Sequence, residues 1–288
     1  MITTITDFLF TPFADYAFMR RALAACAVLA LGGTPLGVFM TLRRMTLVGD
    51  AMSHAILPGV AVAFLAFGLS VWPMTLGGLA TGIAVAFIAS LLTRYTQLKE
   101  DSAFALLYLL SIATGVTLVS LKSSGADLLH LLFGDILAID REALLLVTAA
   151  TCLSLGVIAA LYRQMVIECF DPDFLKSTLH GGNAANAAFF VLLMVNLIAA
   201  FQALGTLMAL GLMILPAIAA RFWTRNIDAA MPLSIAFALF ASVTGLLVSY
   251  HGKIPAGPAV VLVAGTMGFV SACLGRYGSV RSNLSERG

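Results

Sequence analysis

Long apolar runs recur along the whole chain, and short polar stretches separate them. A transmembrane helix needs about 20 predominantly apolar residues. The pattern predicts nine membrane-spanning helices, or eight if one of the shorter runs does not cross. The predicted bounds are 17–41, 47–68, 73–93, 102–121, 142–162, 185–203, 206–222, 229–249 and 257–275.

Composition supports a lipid environment for these helices. Hydrophobic residues make up 61% of the chain, charged residues 10%, and the mean hydropathy is +1.02. Soluble domains have about 45–50% apolar and about 25% charged residues. We therefore predict one all-α, polytopic membrane helix bundle over 1–288, in contact with lipid. A net charge of +2 gives no reason to expect a nucleic-acid partner.

Basic residues are concentrated at alternate ends of the predicted helices, which sets the orientation in the membrane. Loops rich in Lys and Arg remain in the cytoplasm. The richer set of ends contains Arg43, Arg44, Arg94, Lys99, Arg163, Lys176, Arg221, Arg225, Arg276, Arg281 and Arg287. With nine crossings, the N-terminus is predicted outside and the C-terminus in the cytoplasm.

Two connections between the predicted helices differ from simple loops. The segment 125–139 (SGADLLHLLFGDILA) is too short to cross the membrane twice, so we expect an interfacial or re-entrant segment on the outer side. The longest cytoplasmic connection is 163–184, which contains an Asp-Pro helix start and a Gly-Gly stop. This pattern fits a short amphipathic helix, either as a docking surface for a soluble partner or as an ordinary loop helix.

Asp50 and His54 are the most informative polar residues in the apolar runs. They are four residues apart, so a helix places both side chains on one face. Ionisable groups in a membrane helix are costly and normally face a pathway or a partner. A carboxylate and an imidazole suit a divalent transition metal such as Zn²⁺ or Mn²⁺. A two-fold homodimer would supply both residues twice, giving four ligands. Alternatively, Asp50 is a helix-end carboxylate and His54 a hydrogen-bonded core residue.

Three further residues are weaker metal-ligand candidates on the outer side. His130 and Asp135 lie in the segment 125–139, and His251 lies in a predicted outer loop. They suit an ion entry vestibule, but each also fits an ordinary interfacial position.

An Ile-Leu-Pro tripeptide occurs in two of the predicted helices, around Pro58 and Pro216. The surrounding stretches 51–64 and 209–222 share six residues at a constant offset. On the predicted orientation they run in opposite directions, as in the inverted repeats of transporters, where broken helices expose backbone groups to a cavity. Simple proline kinks in two unrelated helices are the alternative.

Catalytic sequence motifs are missing from the chain. It contains no GxxxxGK[ST] nucleotide-binding loop, no HExxH and no GxSxG. The predicted helices after the second are nearly free of charge, unlike those of a proton-driven pump. Uphill transport would therefore need ATP hydrolysis by another chain. The competing hypotheses are a proton-coupled secondary transporter or channel and a membrane-embedded enzyme that uses Asp50 and His54.

The segment LRRMTLVGDAMSHAILPGVAVAF (42–64) resembles the signature region of permease subunits from bacterial zinc and manganese ABC importers. Later blocks of that family are similar in the same order. They are LLFGDILAI (131–139), CFDPDF (169–174), ALGTLMALGLMILPAIAARF (203–222) and PAGPAVVLVAG (255–265). The resemblance covers essentially the full chain.

The resemblance implies a homodimer in the bacterial inner membrane with two cytoplasmic ATPase subunits and a periplasmic or lipid-anchored metal-binding protein. The fold would be similar to that of vitamin and iron-chelate importers. Asp50 and His54 would line the metal pathway, with no permanently bound cofactor. The form of the block 131–139 favours zinc over manganese as cargo, and an importer of manganese or iron in the same family is the alternative. The segment 163–184 would couple to the ATPase through Glu168, Phe170, Asp171, Pro172, Asp173 and Phe174.

Overall fold

The structure is a computed structural model that describes residues 11–68, 70–120, 139, 141–171 and 182–280. A helical segment at 11–15 precedes ten helices that build the fold. In chain order they are α1 (Ala17–Leu42), α2 (Thr46–Ala55), α3 (Leu57–Phe67), α4 (Val71–Tyr95), α5 (Glu100–Ser120), α6 (Arg141–Phe170), α7 (Gly182–Leu204), α8 (Thr206–Arg221), α9 (Ile227–Gly252) and α10 (Ala256–Leu274).

The predicted membrane bundle is confirmed. In the described part of the chain, eight helical stretches are long and apolar enough to cross a membrane, with α2 and α3 together forming one of them. The remaining predicted span corresponds to α8, which has only 16 residues. At about 1.5 Å per residue it is about 24 Å long, against a hydrocarbon core of about 30 Å.

One predicted boundary is wrong by more than two turns. Helix α6 was predicted to end at 162, but it continues to Phe170 and has 30 residues. The stretch 163–170 contains neither glycine nor proline. Its apolar residues also keep a helical spacing, and Met165 is fully buried. Arg163 is exposed and Gln164 and Glu168 are half-buried, so the polar side chains that suggested a loop belong to a continuing helix.

Helices α1 and α7 form the centre of the bundle. They are the most buried spans, with 72% and 67% of their apolar windows inside the protein. Helix α1 packs against α6, α7, α8 and α9, and α7 also packs against α4. Helices α2 and α3 pack on α4 and α5 at one side, while α8, α9 and α10 pack together at the other. The two central helices thus join two groups of outer helices.

Helices α3 and α4 approach each other through two glycines. A Cβ atom added to Gly59 would lie 2.0 Å from the carbonyl oxygen of Gly77, and one on Gly77 would lie 2.4 Å from that of Gly59. Small residues let backbones approach closely where lipid provides no hydrophobic driving force between helices. The pair therefore fixes α3 on α4 by direct backbone contact.

The two prolines of the Ile-Leu-Pro stretches have different effects. Pro58 follows the interruption at Ile56 that separates α2 from α3. Pro216 lies inside the continuous helix α8, so the break predicted there is absent. A proline removes one helical hydrogen bond, and the helix continues when packing holds the next turn. Here Pro216 and the following Ala217 are both buried.

A buried polar contact joins α6 to α7 near the middle of the bundle. The Asn196 amide donates hydrogen bonds to the Ser154 hydroxyl and, at 2.9 Å, to the Leu192 carbonyl. Asn196 is 1% exposed and Ser154 is fully buried. Hydrogen bonds between membrane helices contribute on average about 0.6 kcal/mol and at most about 1.7 kcal/mol.

Asn196→Ala is therefore expected to lower the free energy of unfolding by about 0.6–1.7 kcal/mol. The measurement is the thermal unfolding midpoint in detergent, which should fall. Thr114→Ala is the matched control, because the Thr114 hydroxyl is exposed and bonds only to Leu110 of its own helix. Equal unfolding midpoints for the two variants would show that the Asn196 contact does not stabilise the bundle.

Candidate functional site

The site is built on one face of α2. This helix begins at Thr46, directly after the turn that ends α1, and runs to Ala55. Thr46, Asp50 and His54 repeat every four residues and therefore share a face. On the opposite side of the same helix, Val48 and Met52 are buried. Helix α2 thus packs through its apolar side and leaves its polar side open.

Asp50 and His54 are neighbours, as their spacing predicted. The Nε2 atom of His54 lies 3.9 Å from the Oδ1 atom of Asp50. The Asp50 side chain is 62% exposed and that of His54 31%. The imidazole also approaches the ring of Tyr108 in α5, with 6.3 Å between ring centroids. Both donor atoms are close enough together to bind one cation after a small side-chain movement.

The break after α2 places this pair at a helix end. In a continuous helix the His54 carbonyl would accept a hydrogen bond from residue 58, but proline has no N–H. The Ile56 N–H donates to that carbonyl instead. The Ile56 carbonyl accepts from the Val60 N–H and from the Thr81 hydroxyl of α4, each at 3.2 Å. The interrupted backbone is therefore held by a neighbouring helix.

A cavity of about 580 Å³ separates α2 from α8. Thr46, Asp50, Ser53 and His54 line it from α2 together with one apolar residue, Leu47, so the polar groups of this wall all come from α2. The opposite wall comes from α8 and α10 and is apolar. Its residues are Leu207, Leu210, Gly211, Ile214, Leu215, Ile218 and Val261, with Thr206 at the start of α8. A cation in this cavity would therefore find its protein ligands on one side only.

Asp50 also borders a second cavity, of about 330 Å³, between α2 and α5. Asp101, Phe104 and Tyr108 line it from α5. Sequence reasoning missed Asp101 and Tyr108 because nothing in their local pattern shows which helix α5 contacts. Thr46 and Ser53 were also missed. For Thr46, the four-residue repeat with Asp50 and His54 was a usable signal.

Of the other predicted metal-ligand candidates, His251 is separate from this pair. His251 is exposed in the last turn of α9, and its ring packs on Tyr250 at 5.1 Å between centroids. It lines neither of the cavities that contain Asp50. His130 and Asp135 lie outside the described residues. The proximity of these two residues to the outer mouth stays a prediction.

The predicted docking segment is described at its two flanks. Its first part, 163–170, forms the end of α6, and its last residues begin α7 at Gly182. Phe170 is 70% exposed, Asp171 is exposed, and Glu168 is half-buried. Pro172, Asp173 and Phe174 lie outside the described residues. An exposed aromatic side chain at the end of a long helix suits contact with a partner.

Within the described part of the chain, no group of three or more His, Cys, Asp or Glu side chains is arranged to hold a metal ion. One chain offers the Asp50–His54 pair, which is two donors. A divalent transition metal takes four or more ligands. The remaining ligands would have to come from water, from backbone groups or from another chain.

A multi-pass helical bundle with an interrupted helix beside a cavity that has polar groups on one side is typical of membrane transport proteins. The chain belongs to the ABC 3 transport family, whose model matches residues 15–275. It is therefore a membrane permease of the ABC transporter class.

Known relatives agree with this assignment. The manganese transport system membrane protein MntC of Halalkalibacterium halodurans is 30% identical, over 90% of this chain and 88% of its own. The manganese import system permease protein ScaB of Streptococcus gordonii is also 30% identical, over 89% and 91%. PsaBC from Streptococcus pneumoniae, solved in complex with Fab, superposes with a TM-score of 0.84 at 29% identity and covers 100% of both chains. An inward-facing metal-chelate type ABC transporter shares the fold, with a TM-score of 0.67 at 17% identity.

Proposed function

We propose that this chain is the transmembrane subunit of an ATP-driven importer that moves a divalent transition metal ion into the bacterial cytoplasm. The observation that carries the proposal is the Asp50–His54 pair on the wall of a 580 Å³ cavity in a chain of the ABC 3 transport family. Import proceeds by alternating access. No part of the chain carries a nucleotide-binding loop, so a separate ATPase subunit hydrolyses ATP.

Two copies of the chain complete the ion pathway in this proposal. A two-fold homodimer supplies Asp50 and His54 twice, which gives an N₂O₂ ligand set. The open polar face of α2 supports this arrangement, because both side chains remain accessible from the cavity. Coordination has to be transient, since an ion that binds too tightly does not leave. The metal is cargo, and no cofactor is permanently bound.

The soluble partners bind at opposite membrane faces. Two ATPase subunits dock at the segment 163–184, where Phe170 and Asp171 are exposed. A periplasmic or lipid-anchored binding protein delivers the ion at the outer mouth. This arrangement requires the cytoplasmic C-terminus that the distribution of basic residues predicts. It also requires α8 to cross the membrane, which brings the number of transmembrane helices to nine.

Zinc and manganese are the two candidates for the cargo. The block 131–139 favoured zinc, whereas the relatives MntC and ScaB carry manganese in their names. The Asp50–His54 pair accepts either ion, because imidazole binds zinc well and carboxylate binds both. The relatives therefore favour manganese, against the prediction from sequence. A transport measurement has to decide.

The test is uptake by the whole complex. We expect proteoliposomes that contain this chain, its ATPase and its binding protein to accumulate ⁵⁴Mn²⁺ or ⁶⁵Zn²⁺ only when ATP is supplied. The control replaces ATP with a non-hydrolysable analogue. Preference for one radioisotope identifies the cargo. Uptake that does not depend on ATP and is driven by a proton gradient would contradict this proposal and indicate a secondary transporter.

A further inference from the structure

Arg43, at the end of α1, touches both helices that flank the proposed docking segment. We infer that it is a positioning residue that transmits movement of this segment to α2, the helix that carries Asp50 and His54. The inference rests on the proposed function, since it needs an ATPase that moves the segment 163–184.

The contacts of the Arg43 guanidinium reach two other helices. One terminal nitrogen of this group, Nη1, donates a hydrogen bond of 2.7 Å to Oδ1 of Asn186 in α7. The guanidinium carbon lies 4.4 Å from the ring centroid of Phe189, one turn further along α7. The thiol of Cys169, in the last turn of α6, lies beside the same group. One side chain thus links the end of α1 with the end of α6 and the start of α7.

This position is costly for a charged group. Two more guanidinium nitrogens, Nε and Nη2, are buried without a hydrogen-bond partner of normal geometry among the described residues, and the polar group beside them is the Cys169 thiol, a weak acceptor. A buried donor that lacks an acceptor destabilises the state in which it occurs. Stability alone therefore does not explain Arg43. Two unused donors fit a side chain that gains an acceptor when the ends of α6 and α7 move.

The connection from Arg43 to α2 is short and hydrogen-bonded. Only Arg44 and Met45 separate it from the first residue of α2. The Met45 N–H donates to the Met40 carbonyl at 2.9 Å, and the Arg44 N–H donates to the Thr41 carbonyl at 3.3 Å. The turn is therefore fastened to the end of α1. Because this turn is short and hydrogen-bonded, a displacement of Arg43 also displaces the start of α2.

Arg43→Gln tests the inference in the reconstituted complex with its ATPase and binding protein. The measured quantity is metal uptake per ATP hydrolysed, with ⁵⁴Mn²⁺ and ⁶⁵Zn²⁺ as probes. We expect this ratio to fall by about 2- to 30-fold, the range for residues that carry coupling between sites, while ATP hydrolysis continues. Arg44→Gln is the matched control, since it removes the same charge from an exposed neighbour and should leave the ratio unchanged.

Two further variants keep the result specific. Asn186→Ala removes one partner of Arg43 and should lower the same ratio even if Arg43→Gln does not assemble. Arg43→Lys keeps the charge but cannot both bond to Asn186 and stack on Phe189, so it should restore the ratio only in part. A wild-type ratio in Arg43→Gln, or in Asn186→Ala if Arg43→Gln does not assemble, would overturn the inference and leave the importer intact. Absence of ATP-dependent uptake in the wild-type complex would overturn both.

Discussion

Metal uptake is expected to fall at least about tenfold when either Asp50 or His54 is replaced with alanine, since even removal of a group that hydrogen-bonds to a metal ligand has that effect. The reason is geometric. The Nε2 atom of His54 lies 3.9 Å from the Oδ1 atom of Asp50, and both side chains line the cavity between α2 and α8, where the proposed ion would pass. Loss of one leaves each chain with a single protein ligand.

The measurement is ATP-dependent uptake of ⁵⁴Mn²⁺ and ⁶⁵Zn²⁺ by each variant complex, together with the amount of folded protein in the membrane. Folding should be unaffected, because Asp50 is 62% exposed and His54 31%. Asp228→Ala is the matched control for uptake per amount of folded protein, since Asp228 is exposed and lines neither Asp50 cavity, although the variant loses the hydrogen bond that Asp228 accepts from the Tyr162 hydroxyl. Normal uptake by both Asp50→Ala and His54→Ala would remove this face of α2 from the pathway.

Gly59→Ala is expected to have the largest effect on stability. Its new Cβ atom would lie 2.0 Å from the Gly77 carbonyl oxygen, so α3 and α4 would have to separate. Overpacking of this kind typically costs about 1–3 kcal/mol. We expect a clear loss of folded protein and a lower thermal unfolding midpoint in detergent-solubilised samples.

Gly156→Ala provides the matched control, because an added Cβ there meets nothing within 4 Å. In a helix, alanine is favoured over glycine by about 1 kcal/mol, so this variant should be at least as stable as the wild type. The two substitutions thus have opposite expected signs for the same chemical change. A Gly59→Ala protein as stable as Gly156→Ala would mean that the two helices are not held in contact at this point.

Much of the fold could be predicted from the sequence because the bilayer imposes a length and a polarity on each span. Helix α1 was predicted within one residue at each end, and the helices from α7 to α10 within three. The end of α6 was not predicted, because the polar residues at 163–170 look like a loop in sequence although they belong to a helix. Whether Pro216 breaks its helix depends on the packing around α8, and the sequence alone does not show which residues pack there.

The candidate site was predictable only where it is local. A spacing of four residues was enough to place Asp50 beside His54. Asp101 and Tyr108 reach the same region from a different helix, and no pattern within α5 shows that contact. Arg43 was assigned to the membrane orientation alone, since its contacts with Asn186 and Phe189 are more than 140 residues away in sequence.

The shortness of α8 has an electrical consequence. A helix of 16 residues covers about 24 Å, so the apolar wall of the cavity is thinner than the hydrocarbon core of about 30 Å. If the ends of this wall are wet, the membrane voltage falls over the shorter distance. The field along the wall is then steeper, while a divalent cation that crosses the whole voltage drop still exchanges about 4.6 kcal/mol per 100 mV. With the cell interior negative, this energy favours import, so voltage would assist the ATPase.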